Sequence, residues 1–210
     1  MHRFLYRLTL CTLLTFPSFG WSFTLACLGD SNTASITAPV APLVPSWCDI
    51  LATRHPEWTI VNTGHSGGFV TAVALPGAVG SEYDAFVHWD RAAPSHPDVV
   101  VLAYGTNDLF WFPHGIDFIL TQFQVLHDRI TETGAAVLVA TAPPRLGARV
   151  PEAFRLFNRA IRHVFPPAIN FDRGFPTRHL DASGVHWDTW GQEHRATQVE
   201  RTLRRLKIPA

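Results

Sequence analysis

The chain has 210 residues, 47% of them hydrophobic, and its 17 Lys and Arg offset 17 Asp and Glu for a formal charge of zero. That length suggests one domain with a proper core. The neutral balance argues against nucleic acid or an anionic membrane surface as the main partner, because both demand a cationic surplus.

Residues 1–22 read as a secretion signal rather than part of the fold. Arg3 and Arg7 supply a basic start, residues 8–16 an apolar stretch, and 18–20 or 20–22 a small-x-small cleavage site. A membrane span needs about 20 apolar residues, so cleavage between Gly20 and Phe23 is expected, with no stable membrane insertion afterwards. An uncleaved anchor is the alternative. Leu10 precedes Cys11 where a lipoprotein signal wants a small residue, so no lipid anchor is expected. The mature domain then covers 23–210 and is secreted or periplasmic.

The first predicted strand, 23–28, runs directly into Gly29-Asp30-Ser31-Asn32. In an α/β fold ligands bind at the carboxyl ends of strands, which puts the Ser31 hydroxyl where chemistry would be done. The same four residues are also good turn material. Further strands are expected over 59–62, 99–104, 135–141 and 168–171, each a continuous apolar run, and continuous apolarity indicates a parallel sheet covered on both faces. Helices are expected over 44–54, parts of 71–92, 116–133, 151–164 and 189–206. Pro151 and Glu152 suit a first helical turn, and Thr189-x-x-Gln192 has the spacing of a capping box. The cations Arg201, Arg204, Arg205 and Lys207 fall in the last turns of the terminal helix, where they suit its dipole.

After the signal, Cys27 and Cys48 remain. An oxidising compartment would let them pair, but the favoured reading is two small buried side chains. No metal is expected, because the histidines fall into no zinc-binding spacing. Nor is a nucleotide, since the phosphate-loop and dinucleotide glycine patterns are absent from the Ser31 turn.

A serine hydroxyl needs a base, and His186, in the loop before the last helix, is the candidate. An acyl-transfer intermediate needs oxyanion donors, each typically worth about 10² to 10³ in turnover. Gly64 can offer an unobstructed backbone N–H, Asn107 a side-chain amide and Ser31 its own N–H. Gly64, Gly67 and Gly68 also read as a flexible turn, and Asn107-Asp108 as a helix cap.

Gly29-Asp30-Ser31-Asn32, Asn62-x-Gly64-x-x-Gly67, Gly105-x-Asn107-Asp108 and Gly184-Val185-His186 together resemble the four blocks of the SGNH hydrolases, the GDSL esterase/lipase family. The resemblance covers essentially the whole mature chain. It implies a flavodoxin-like three-layer α/β/α sandwich with a central five-stranded parallel sheet. It also implies cofactor-free ester hydrolysis, with Ser31 as nucleophile, His186 as base, and Ser31, Gly64 and Asn107 as oxyanion donors. The family usually has an Asp three residues before this His, where the chain has Ser183. Asp181 is therefore expected to orient the imidazole, a backbone carbonyl being the alternative, while Asp188 is expected to cap the last helix.

The substrate expected is a small-molecule or glycan ester. Trp111, in Leu109-Phe110-Trp111-Phe112, follows the oxyanion block, and Trp187 and Trp190 flank His186, so Trp111 and Trp187 are expected at the substrate. Carbohydrate O-acetyl ester hydrolysis or transacylation is the alternative within enzymes. A non-catalytic binding protein of the same fold is the alternative outside them.

Overall fold

The computed structural model describes residues 23–36, 44–146 and 150–208. The expected secretion signal lies outside these residues. Four parallel strands form the sheet, β1 (Thr24–Gly29), β2 (Thr59–Asn62), β3 (Val99–Ala103) and β4 (Ala136–Val139), in the order β2-β1-β3-β4. The helices are α1 (Trp47–Arg54), α2 (Ala85–Ala92), α3 (Thr106–Trp111), α4 (Ile116–Thr131), α5 (Pro151–Val164) and α6 (Thr189–Arg205).

The central strands β1 and β3 are buried on both faces, as continuous apolarity requires, while the edge strands β2 and β4 are partly exposed. Leu25 and Cys27 point to the layer of α1 and α6, with Trp47, Leu51, Val199 and Leu203. Ala26 and Leu28 alternate onto the other face, against α2, α4 and α5, where Trp89, Phe123 and Phe157 lie. In α4, Ile119, Phe123, Leu126 and Ile130 recur at helical spacing and are all fully buried.

The expected fifth strand is reduced to one parallel bridge, Ala140 to Ile169. Side chains end the ladder there. Thr141 Oγ1 accepts the Phe171 N–H at 2.9 Å, and the Asn158 amide takes both backbone groups of Ala142 at 2.8 Å. The residues before Ala168 are Pro166 and Pro167, which have no N–H to donate.

Side-chain caps start α1 and α6. Ser46 and Asp49 form a reciprocal capping box at α1. At α6 the cap is Asp188, whose side chain accepts the Gly191 N–H at 2.9 Å. Thr189 and Gln192 therefore form no capping box; the buried Gln192 instead accepts the Trp47 N–H at 3.1 Å and ties α6 to α1.

Cys27 and Cys48 form a disulfide, correcting the expectation of two unpaired side chains. The first turn of α1 lies directly over β1, which brings the two Cα atoms to 6.6 Å, within bridging distance. The bridge closes a loop spanning 21 residues, worth about 3 kcal/mol through loop entropy. The Cys27→Ala/Cys48→Ala variant is expected to lose roughly that much in a denaturant titration, with the m-value raised, because the unfolded chain without the cross-link exposes more surface.

Candidate active site

At the end of β1 the chain must turn sharply, and only glycine fits at position 29. A Cβ there would collide with Thr33 and would stand 2.8 Å from the Ala103 carbonyl oxygen. The turn is held by the Asp30 carbonyl, which accepts the N–H groups of Thr33 and Ala34 at 2.9 and 3.0 Å. Asp30 Oδ1 accepts the Asn32 N–H at 2.9 Å. Asn32 Nδ2 then donates to the Val185 carbonyl at 3.3 Å, fastening this turn to the loop before α6.

That link brings Ser31 and His186, 155 positions apart, into contact: Ser31 Oγ lies 3.0 Å from His186 Nε2. His186 sits in a small hairpin. Leu180 pairs antiparallel with Trp187, and the Asp181 N–H donates to the His186 carbonyl at 2.8 Å. Gly184 makes the bend in the left-handed region, at φ 68°.

Asp181 faces the far side of the imidazole, its Oδ2 3.3 Å from Nδ1. Its other oxygen accepts the N–H groups of Ser183 at 3.0 Å and His186 at 3.3 Å, and the Ser183 hydroxyl. Ser183 Oγ is itself 3.3 Å from Nδ1. Partial burial works against ionising the Asp181 carboxyl, but the Ser183 hydrogen bond and the His186 ring together hold it below the ordinary carboxylate value. Asp188 is engaged elsewhere, paired with His179 at 2.8 Å and capping α6.

The expected oxyanion donors divide. The Gly64 N–H donates to Asn62 Oδ1 at 3.0 Å, and a Cβ on Gly64 would meet Thr33 at 2.8 Å. Gly64 thus packs against the Ser31 turn with its N–H already committed, in the Asx-turn geometry that Asn-x-Gly favours. Gly67, three residues on, adopts φ 83°, lines the cleft beside Asn107, and has its N–H uncommitted to any partner among the described residues. Asn107, in the first turn of α3, donates one amide hydrogen to the Gly68 carbonyl at 3.0 Å. This fixes the amide plane. The Ser31 N–H likewise has no partner among the described residues.

Behind these donors Asp108 is fully buried, and its Oδ1 accepts the N–H groups of Val70 and Thr71 and the Thr71 hydroxyl, at 2.9 to 3.0 Å. It clamps the Gly67 loop to α3. Burial raises its pKa to about 6 against those bonds. His88, buried against Tyr104 with Nδ1 to hydroxyl 2.5 Å, is depressed by burial to about 4.

Their linkage signs are opposite. From pH 4 to 6 native Asp108 keeps a proton that the unfolded chain releases, so its contribution to stability falls as pH rises. Over nearly the same window the unfolded chain holds a His88 proton that the native state lacks, so that contribution rises. Asp108→Asn should remove the first and leave the second. The variant is expected to lose roughly 3 kcal/mol more than the parent between pH 6 and pH 4, measured by denaturant unfolding.

A cleft of about 500 Å³ opens from Gly67 and Asn107 and is walled by Phe69, Leu75, Tyr83, Phe110 and Trp111. Trp111 is 56% exposed and does line it. Trp187 does not, correcting that expectation. It is 2% exposed, its ring packed at a 30° tilt with its centre 3.6 Å from that of Phe175, and covered by the buried Arg195 guanidinium at 3.8 Å. Trp190 stacks outside the cleft on His179. Of the aromatic run, Leu109 is buried and Phe112 packs on Phe118. Arg145, singled out by no local pattern, completes the wall with its guanidinium 4.7 Å over the Phe110 ring. Among the described residues no three His, Cys, Asp or Glu side chains converge to hold a metal ion.

Residues 27–193 match the model of the GDSL-like lipase/acylhydrolase family. Among solved structures, the chain resembles a carbohydrate esterase family 3 protein from Talaromyces cellulolyticus, with 17% identity and TM-score 0.66 over 90% of this chain and 100% of that one. It also resembles a carbohydrate acetylesterase family member from Sinorhizobium meliloti, with 18% identity and TM-score 0.66 over 87% and 97%. Axe2, an acetylxylan esterase from Geobacillus stearothermophilus, shares 16% identity with TM-score 0.64 over 85% and 93%. No curated protein matches the sequence. At such identities the structural likeness establishes the shared α/β fold.

Proposed function

The chain belongs to the GDSL-like lipase/acylhydrolase family of ester hydrolases, and from that premise we propose that it cleaves carboxylic esters through an acyl-enzyme on Ser31. The observation that carries this reading is the 3.0 Å approach of His186 Nε2 to Ser31 Oγ, within reach for proton transfer. Ser31 Oγ attacks the ester carbonyl carbon while its proton passes to Nε2. The carbonyl π pair moves onto oxygen. As that pair returns, the C–O bond to the alcohol breaks and Nε2–H protonates the departing alkoxide. Water then repeats the sequence on the acyl-enzyme and frees the acid.

Asp181 holds the Nδ1–H tautomer and stabilises the imidazolium. The developing oxyanion is received by the N–H groups of Ser31 and Gly67 and by the Asn107 amide. Gly67 takes the part expected of Gly64, whose N–H is spent on Asn62. The exposed Trp111 and Tyr83 beside the cleft favour sugar stacking, so hydrolysis of a carbohydrate O-ester is the second reading. The Cys27–Cys48 disulfide supports export of the domain 23–210 to an oxidising compartment.

The test is covalent labelling. A fluorophosphonate probe should modify Ser31 alone, at a rate that falls with Ser31→Ala to background. A folded protein that takes up no probe and hydrolyses no ester would overturn the catalytic reading in favour of a binding protein.

A further inference from the structure

The reach and charge of the cleft say more about the ester than the catalytic residues do. Resting on the acyl-enzyme reading, we propose that the cleft is the acyl site and that Arg145 selects acyl groups carrying a carboxylate at their far end.

Direction comes first. In a tetrahedral intermediate on Ser31 the oxyanion faces Gly67 and Asn107, and the leaving oxygen must face His186 Nε2. The acyl chain is the one substituent left. It departs along the oxyanion side, where the cleft is walled by Gly67 and Asn107 and not by His186. Size comes second. At about 500 Å³ the cleft lies within the range that holds drug-sized ligands, far more than two acetyl carbons fill.

Charge comes third. Most of the wall is apolar or aromatic, and its cation is Arg145, half-buried, its guanidinium carbon 4.7 Å from the centre of the Phe110 ring. No ion pair among the described residues includes Arg145. Residues 1–22, 37–43, 147–149 and 209–210 contain no Asp or Glu. A guanidinium held by cation–π contact and left without a carboxylate keeps its fork of donors for one. The adjacent Leu146 anchors it: the Leu146 N–H donates to the Gly184 carbonyl at 2.9 Å, two residues before His186. Arg145 is therefore positioned against the same loop as the base.

The experiment compares 4-nitrophenyl hydrogen adipate with 4-nitrophenyl hexanoate, acyl groups of equal length that differ in the terminal carboxylate. The parent enzyme should give the higher kcat/KM with the adipate. Arg145→Gln should reduce the adipate-to-hexanoate ratio by at least about tenfold, with Arg145→Lys intermediate. Raising salt should lower the parent's preference. The hexanoate rate reports whether the variant is folded and active. An unchanged ratio with hexanoate hydrolysis intact overturns the proposal. So does a fall seen only with an acetylated methyl glucuronoside relative to its glucoside, which would put the carboxylate on the alcohol side. Failure of the serine-esterase reading itself is distinct, since then neither ester is hydrolysed and Ser31 takes no fluorophosphonate.

Discussion

Ser31→Ala is expected to lower kcat for a short 4-nitrophenyl ester by about 10⁴ to 10⁶, with little change in fold or thermal stability. The size follows from the loss of the acyl-enzyme path. Without Oγ there is nothing for His186 to activate except water, and the oxyanion donors alone retain only a residual acceleration. His186→Ala should cost nearly as much, and the double variant little more than either, because the proposed mechanism uses the two as one unit across the 3.0 Å contact. A Ser31→Ala enzyme that kept a tenth of its activity would mean that another nucleophile does the work.

Asp181→Asn should be the next most damaging change, lowering kcat by about 10² to 10⁴. The carboxylate stands 3.3 Å from His186 Nδ1 and its companion oxygen organises Ser183 and the His186 backbone. An amide in its place offers no charge to the imidazolium and can present a donor to Nδ1, favouring the wrong tautomer. Ser183→Ala should cost far less, since Asp181 Oδ2 still reaches the ring. Asp188→Asn is the control. It remains a competent cap for α6 and lies against His179, so turnover should be nearly unchanged. Equal, small losses at positions 181 and 188 would leave a Ser–His dyad oriented by backbone as the better account. Introducing Ser183→Asp into Asp181→Asn should restore part of the rate if a carboxylate beside Nδ1 is what matters.

Legibility in the sequence tracked how local each determinant is. Asp188 was readable as a cap because capping is settled within three residues. The commitment of the Gly64 N–H rests on an equally local signal. An Asn two residues before a glycine can take its N–H in an Asx turn, and Asn62 does. Gly67, already part of the same block, carries the left-handed bend that opens onto the cleft. The short helix α3 went unpredicted, since six residues after Gly105 carry too little periodicity to register.

The amino-acid order alone encodes the frame: apolar runs that must be buried on both faces, a glycine-led turn bearing Ser31 at the end of β1, and a histidine just before a capped terminal helix. Those features depend on backbone preference and burial, which neighbouring residues encode. Which side chains face the cleft is settled by packing between distant segments. Trp187 is turned inward by Phe175 and by Arg195 from another stretch of chain, Cys48 meets Cys27 because α1 lies over β1, and Arg145 reaches the cleft by resting on Phe110. The direction of a ring or a guanidinium is set by contacts between segments far apart in the chain, and no local pattern records them.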